Sequence, residues 1–573
     1  MDGSIQEMSS WRPAHPKFTW LATAMLALTG VLPFVAGVLA VGMRSPQSGS
    51  INSGIATSIL LSTFFTIKQA CLSTLVVGLF SPMFAVALLF FPPKMLRASM
   101  MLRTLIFCLP SLVVASGLIS AWGGNGFATR LLESMGVYLP VSEIIYSRYA
   151  VVLANSLMNL PFASIILFRC LIEIPGEQID SATLIGLGRR ATFRNILWPA
   201  IKPVLIYYCG MTFLLSLGSF GALSILGGGP SSQTLELGIF QSIYFDGDWP
   251  AAALYATAHT ALAGCIALLF IGPQYRWLDG FLLQRVPARL CLDKLRDLIL
   301  PQSSTQSSTQ SSTQSSTQSS TRWIIIIAGF MLDICIFIPL GALAAGTIHY
   351  LDSGLLPFTT LLAPLMDALT VSIGLAAPAT IIGTGTAWLV TRSYCRYKLN
   401  QHSKQALTLL LSALAAGIIP SMATAFGLLA MRSVLPNEFF GAPAIVAVHA
   451  TIILPFLINI LLPIYSRKIM PFENSRILLG LSNHIWLKQL EWKTMRKGLG
   501  TSLAVGFALS INETSVVSML ADPLHPPLTT TMIRLMGHYR FGESSMGSCL
   551  LVITTTIAII LLSPRGGLLN DAA

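Results

Sequence analysis

The chain has 573 residues, of which 54% are apolar and only 10% charged, at a mean hydropathy of +0.71. A soluble domain carries about 25% charged residues, so the composition excludes a soluble enzyme, a secreted disulfide scaffold and a disordered polypeptide. The net charge of +12 raises nucleic acid and anionic lipid as partners, but in a membrane protein it speaks first to orientation.

A helix needs about 20 mostly apolar residues to cross the bilayer. Twelve such stretches run near 18–43, 69–91, 101–122, 148–171, 200–227 and 251–275, then 323–347, 367–391, 406–431, 441–466, 499–521 and 544–563. The first is longer than the roughly 7–15-residue core of a secretory signal, and no small-x-small cleavage site follows it, so it reads as a retained span. Pro33, Pro82, Pro110, Pro161, Pro339, Pro378, Pro420 and Pro455 lie inside these stretches. Neighbouring helices can re-satisfy the carbonyl that a proline frees, so the expectation is continuous, kinked helices.

With the N-terminus inside, only Arg44, Lys68, Arg130, Arg148, Arg432, Arg534 and Arg540, of 35 Lys and Arg in all, fall outside. Such asymmetry places both termini in the cytoplasm; Arg103 is read with the inner-loop charges. The cysteines fall in spans or inner segments, with no CxxC and no Cys/His cluster at ligand spacing. Neither a disulfide framework nor a metal or cofactor is expected.

Six spans, a polar joint and six more spans suggest duplication. The reading divides the chain into a first half (1–275), a low-complexity cytoplasmic linker (276–322) and a second half (323–573). The linker holds five tandem copies of Gln-Ser-Ser-Thr at 302–321, too polar to form a core. At an offset of 294, Gly186-Leu187 falls on Gly480-Leu481, Trp198 on Trp492, Phe213 on Phe507 and Ser216 on Ser510.

The longest inner loop of the first half, within 174–203, reads IPGEQIDSATLIGLGRRATFRNILWPAIKP. Asp180 is expected to cap a short helix at its positive end. Gly186 and Gly188 permit a tight turn. A second short helix, Arg189 to Trp198, then carries Phe193, Ile196 and Leu197 near one face, and Pro199 suits the first turn of the next span. An exposed apolar helix-turn-helix at the membrane surface needs a cover, from a partner protein or from its own bundle and lipid headgroups.

The loop resembles the cytoplasmic coupling loop of binding-protein-dependent ABC importer permeases. That pattern is Glu-Ala-Ala, three residues, Gly, then an aromatic, an aliphatic and Pro. Asp180-Ser181-Ala182 stands at its start, followed by Gly186, Phe193, Ile196 and Pro199, with the acid shortened. The whole layout is similar to the fused two-half permeases of ferric-iron, thiamine and related importers. The resemblance implies a type I ABC importer permease fold: an all-α polytopic membrane protein of about 12 transmembrane helices in two homologous six-helix halves. It further implies a small solute delivered by a periplasmic solute-binding protein, and coupling to a separate cytoplasmic ABC ATPase, as a dimer, in the bacterial inner membrane.

The coupling loop is placed at 174–199. Its counterpart at 468–498 keeps Gly480 but puts Asn474-Ser475-Arg476 in the triplet, Leu487 at the aromatic position and Lys493 at the proline. Equal coupling by the two halves is therefore in question. The chain has no GxxxxGK[ST] phosphate loop; it is read as a non-catalytic transport subunit with lipid, not nucleic acid, around it. Intramembrane charges are costly and often functional. Glu513, with Ser216, Ser219, Ser510 and Asn512, is the candidate pathway set, and Asp333 a weaker one. His259 reads as a satisfied helix contact. The alternative function is a twelve-span secondary transporter driven by an ion gradient through Glu513 or Asp333, which gives no reason for the loop pattern.

Overall fold

A computed structural model describes residues 31–39, 41–42, 53–124, 126–138, 141–145, 147–227, 232–270, 292–299, 311–352, 358–415, 417–432 and 441–562. No strand occurs among them. Most of the first expected span lies outside the described residues; 31–39 and 41–42 are helical. In the first half the main helices are α1 (Ser53–Leu89), α2 (Pro93–Cys108), α3 (Ser111–Trp122), α4 (Arg148–Ile172), α5 (Gly176–Leu184), α6 (Trp198–Leu217), α7 (Phe220–Leu226), α8 (Leu235–Tyr244) and α9 (Trp249–Phe270). In the second half they are α10 (Ser311–Asp352), α11 (Phe358–Leu399), α12 (Ser403–Ala415), α13 (Ser421–Met431), α14 (Ala442–Lys468), α15 (Glu473–Leu478), α16 (Trp492–Ile511), α17 (Ser515–Leu520), α18 (Leu528–Gly537) and α19 (Phe541–Leu562). Among the described residues, eight helices are long and apolar enough to cross a membrane unaided, the bent α2–α3 segment aside.

Not every span is the continuous helix that the sequence suggested. The third breaks between α2 and α3, with a bend of 109°, and the ninth between α12 and α13. The cause is Pro110 in the first and Pro420 in the second, each with extended ψ (145° and 139°) just ahead of the new helix. Proline disfavours helical backbone at the residue before it, and Leu109 accordingly sits at ψ 152°. The fifth span breaks at Gly218-Ser219 and the eleventh at Asn512–Thr514. Pro82, Pro161, Pro339, Pro378 and Pro455 stay inside helices.

Two helices, α8 and α18, occupy stretches that the sequence reading left to outer loops. Their N-terminal N–H groups would be orphaned in a dry bundle, and the structure meets them with hydroxyls. Leu235 N–H donates to Thr66 Oγ1 at 3.0 Å, and Leu528 N–H to Ser372 Oγ at 2.8 Å. The short helix α7 is served by a hydroxyl and a carboxylate: Ala222 N–H donates to Ser111 Oγ at 3.1 Å and Phe220 N–H to Glu236 Oε2 at 3.2 Å.

The helix boundaries recur between halves. Arg189–Thr192, a π turn at Phe193–Leu197 and then α6 are matched, 294 positions on, by Asn483–Trp486, a π turn at Leu487–Glu491 and α16. The first helical stretch of each half crosses onto the broken span of the other. A Cβ at Gly427 would overlap the backbone of Pro33, and one at Gly117 would crowd Pro339.

Across that second crossing lies a buried ion pair. Arg103 Nε donates to Asp333 Oδ1 at 2.8 Å, Nη1 to Ser164 Oγ at 2.8 Å and Nη2 to the Gly329 carbonyl at 3.1 Å. Arg103 is fully buried, so it is not an inner-loop charge, and Asp333 serves to hold α10. Part of the expected linker is ordered as helix. Leu292–Ile299 buries Leu295, and its Arg296 donates to the Leu89 carbonyl at 2.6 Å. The helix α10 starts at Ser311, inside the Gln-Ser-Ser-Thr tract.

Gly427→Val is expected to lower the thermal midpoint of the detergent-purified protein by several degrees, since overpacking costs about 1–3 kcal/mol. Gly374→Val is the control, because a Cβ there meets nothing within 4 Å. A thermal melt followed by size-exclusion chromatography reads both.

Candidate functional site

The loop after α4 folds as a helix-turn-helix. Asp180 lies inside α5, whose first turn carries Glu177 and whose N-cap is Pro175, so the expected capping role for Asp180 is corrected. The helix ends in a Schellman motif. Gly186 N–H donates to the Thr183 carbonyl at 3.0 Å and Leu187 N–H to the Ala182 carbonyl at 2.9 Å. This closure needs a left-handed residue, and Gly186 supplies it at φ +76°. Gly188 has an ordinary φ of −65°, so of the two glycines only Gly186 is required by the turn. Pro199 sits at the second position of α6, as its fixed φ favours.

The outward face of this loop sets large apolar side chains among exposed Arg189, Arg190 and Arg194. Leu184, Ile185, Phe193 and Trp198 are exposed, with Phe193 and Trp198 rings 6.3 Å apart. Ile179, Ala182 and Leu197 are buried against the bundle, and Ile196 is half-buried. Thus Ala182 and Ile196 face inward or sideways, while Phe193 stands out.

The second loop repeats the turn: Gly480 has φ +61°, and Leu481 N–H donates to the Arg476 carbonyl at 3.1 Å. Leu478, Leu479 and Trp492 are exposed where Leu184, Ile185 and Trp198 are in the first loop, while Leu487 is half-buried. What differs is how the loop is seated. The three positions that hold Ile179, Ala182 and Leu197 in the first loop hold Glu473, Arg476 and Glu491 in the second, all buried. Arg476 pairs with Glu473 at 2.9 Å and lies over the Trp486 ring. Glu491 meets Arg392 at 2.9 Å and accepts from the Tyr465 hydroxyl at 2.5 Å; Arg396 stands 3.7 Å from Glu473. One loop is seated on apolar contacts, the other on ions.

The candidate pathway residues separate into groups. Ser510 and Glu513 meet at His449, whose Nδ1 lies 3.0 Å from Ser510 Oγ and whose Nε2 lies 3.5 Å from Glu513 Oε2. The Glu513 carboxylate also accepts from the N–H groups of Ser515 and Val516, at 3.0 and 2.9 Å, and so caps α17. Asn512 turns elsewhere, donating to the Cys108 carbonyl at 2.7 Å and to Thr555 Oγ1 at 3.2 Å. Ser216 offers its carbonyl to Gln69 Nε2, and Ser219 immediately precedes α7. His259 is fully buried, and among the described residues neither ring nitrogen has a hydrogen-bond partner, in contrast to the satisfied contact expected from the sequence.

Sequence reasoning missed Glu236, fully buried in α8. Thr234, two residues earlier, accepts from Leu237 N–H at 3.3 Å; a Thr cap with an acid in the first turn marked a helix start there. The aromatic group Phe107, Phe162 and Phe456 was also missed; its members come from α2, α4 and α14, and no local pattern links them.

Two like sets of spans, their broken helices stitched together by hydroxyl and carboxylate caps, with one helix-turn-helix per set on the basic face, define a polytopic transport subunit. Residues 54–280 match the family described as a binding-protein-dependent transport system inner membrane component. A thiamine transport system permease protein of Brucella abortus (strain 2308) is 26% identical over 512 residues, 87% of this chain and 86% of the relative. The protein of that name from Escherichia coli (strain K12) is 23% identical over 557 residues, 96% of this chain and 97% of the relative. A sulfate transport system permease protein of Salmonella typhimurium is 28% identical over 211 residues, 35% of this chain and 73% of the relative. No solved structure matches the chain. The chain is an inner-membrane permease of a binding-protein-dependent ABC importer, a multi-pass and non-catalytic transport subunit. Its class implies an ATPase and a periplasmic binding protein as partners.

The ionic seat makes a distinct prediction. Glu473→Ile leaves Arg476 and Arg396 buried without this counter-charge, and breaking a buried pair costs about 3–5 kcal/mol. Chymotryptic cleavage within 468–498 should accelerate. The double variant Glu473→Ile/Arg476→Ala, which copies the first loop, should cleave more slowly than the single one.

Proposed function

We propose that this permease imports thiamine or a closely similar aromatic cation, passed to it by a binding protein and driven by two copies of a cytoplasmic ATPase. The substrate reading rests on the relatives that cover 87% and 96% of this chain, which are thiamine permeases by name. The proposed halves are 1–275 and 323–573, joined by 276–322, with the basic face and both termini in the cytoplasm.

The observation that carries the coupling is the repeated turn at Gly186 and Gly480, each presenting an exposed apolar pair, Leu184-Ile185 and Leu478-Leu479. Asp180, Ala182, Gly186, Phe193, Ile196 and Pro199 act together in the first loop: Gly186 sets the turn, Ala182 and Ile196 hold the loop down, and Phe193 offers a ring to the ATPase. Gly480 and Leu487 serve the second. Because its polar positions are consumed by Glu473, Arg476 and Glu491 pairs, the second loop docks mainly through Leu478, Leu479 and Trp492. In the pathway set, Glu513 and Ser510 with His449 offer negative and hydrogen-bonding groups to a cation, Asn512 ties the broken eleventh span to Cys108 and Thr555, and Ser216 and Ser219 add buried hydroxyls beside the break of the fifth span.

The test is uptake of radiolabelled thiamine into proteoliposomes containing permease, ATPase and binding protein. Wild type should accumulate thiamine only with ATP. Gly186→Arg and Phe193→Asp should reduce both ATPase co-purification and uptake by about tenfold or more, the effect of placing strain or charge in an apolar contact. Normal assembly and uptake in both variants would refute the loop assignment, and ATP-dependent transport of other solutes but not thiamine would refute the substrate.

A further inference from the structure

The two most enclosed spans of the described residues are α4 and α14, 72% and 67% buried over their apolar windows. Each nevertheless keeps one open stripe. From Pro161 to Glu173, only Phe162, Ile166, Arg169 and Glu173 are partly exposed, and every residue between them is buried. Their spacing of four, three and four residues is one face of a helix. The same face recurs 294 positions on as Phe456, Ile460, Pro463 and Arg467, all partly exposed, beside Asn459 and Ile464.

The stripes meet across the halves. The Phe107 ring stacks on Phe162 at 4.0 Å and lies 6.2 Å from Phe456. Asn459 Nδ2 donates to the Tyr207 hydroxyl at 3.0 Å. At the basic end, Arg467 donates to Glu173 through both terminal nitrogens, at 2.5 and 3.0 Å. Glu173 and Arg467 are repeat-equivalent positions. In two like halves, equivalent residues touch only on the axis that relates them, so this pair marks the axis.

We propose that the two stripes line the cytoplasmic half of the transport passage, and that the Glu173–Arg467 pair is its gate, which must part before cargo leaves. The helical rise puts the pair about 16 Å from the aromatic layer. A bidentate Arg–carboxylate pair is directional as well as attractive, so it closes the mouth in one register. At about one-third exposure of each side chain, water competes for both groups, and the pair can open and re-form. Opposite charges at equivalent sites have a further consequence: like residues there would repel, so the fused chain holds a gate that an assembly of identical halves could not.

The test needs no cargo. Ile166→Cys places a thiol midway along the stripe of the permease–ATPase complex. In inside-out vesicles without ATP, its modification by a membrane-impermeant cationic thiosulfonate is measured against the same complex lacking that substitution. With the pair intact, modification should be slow. Glu173→Gln or Arg467→Gln should each speed it about tenfold or more, the shift expected from loss of a charge-assisted hydrogen bond. The exchanged pair Glu173→Arg/Arg467→Glu should return it to slow. Glu173→Asp, which keeps the charge and shortens its reach, should fall between and replaces the exchange if that variant fails to co-purify with the ATPase. Equal rates in all variants, or no slowing by the exchanged pair when it assembles, would overturn the gate. The outcome does not depend on thiamine being the cargo.

Discussion

In the interior of a membrane protein, every backbone N–H and C=O must find a partner within the protein. The broken spans make that demand acute, because each break frees the ends of two helices inside the bundle. The structure meets it by crossing from one element to another: Thr66 to Leu235, Ser372 to Leu528, Ser111 to Ala222, Glu236 to Phe220 and Asn512 to the Cys108 carbonyl. These contacts fix how the short helices pack, while α4 and α6 lie chiefly against α1, and α14 and α16 against α11. Glu513 belongs to the same economy of hydrogen bonds: its carboxylate caps α17 while it faces His449.

On the basic face the halves share a turn but not a foundation. The Schellman closure and its left-handed glycine are kept in both loops, because α5 and the stretch after it must reverse within a few residues. The contact beneath the turn is free to differ. Ile179, Ala182 and Leu197 give way to Glu473, Arg476 and Glu491, and α11 supplies Arg392 and Arg396 as counter-charges. An ionic seat demands all its members at once, since a buried charge without its partner is costly. Of the second loop's departures from the family pattern, this accounts for Arg476, which pairs with Glu473.

Much of this was legible in the sequence because it rests on local chemistry. Span lengths and the Gly186 turn follow from residues near one another in the chain, and the basic asymmetry and the 294-residue offset from setting such stretches side by side. The departures came where a partner lies far away. Pro110 and Pro420 interrupt their spans, whereas Pro161 and Pro455 stay inside helices. Asp333 looked like a candidate pathway charge until Arg103, 230 positions earlier, proved to be its partner. The helices α8 and α18 are too short to cross a bilayer and were read as loops, although Thr234 and Glu236 carried a helix-start signature. The Phe107, Phe162 and Phe456 layer could not be read from the sequence, since nothing in any one segment announces it.

The central claim is that one chain contains both halves of the permease and offers one docking loop from each. Native mass spectrometry of the purified permease–ATPase complex tests it most directly. The prediction is a particle with one copy of this chain and two of the ATPase. A particle with one ATPase per chain, or with two copies of this chain, would contradict it.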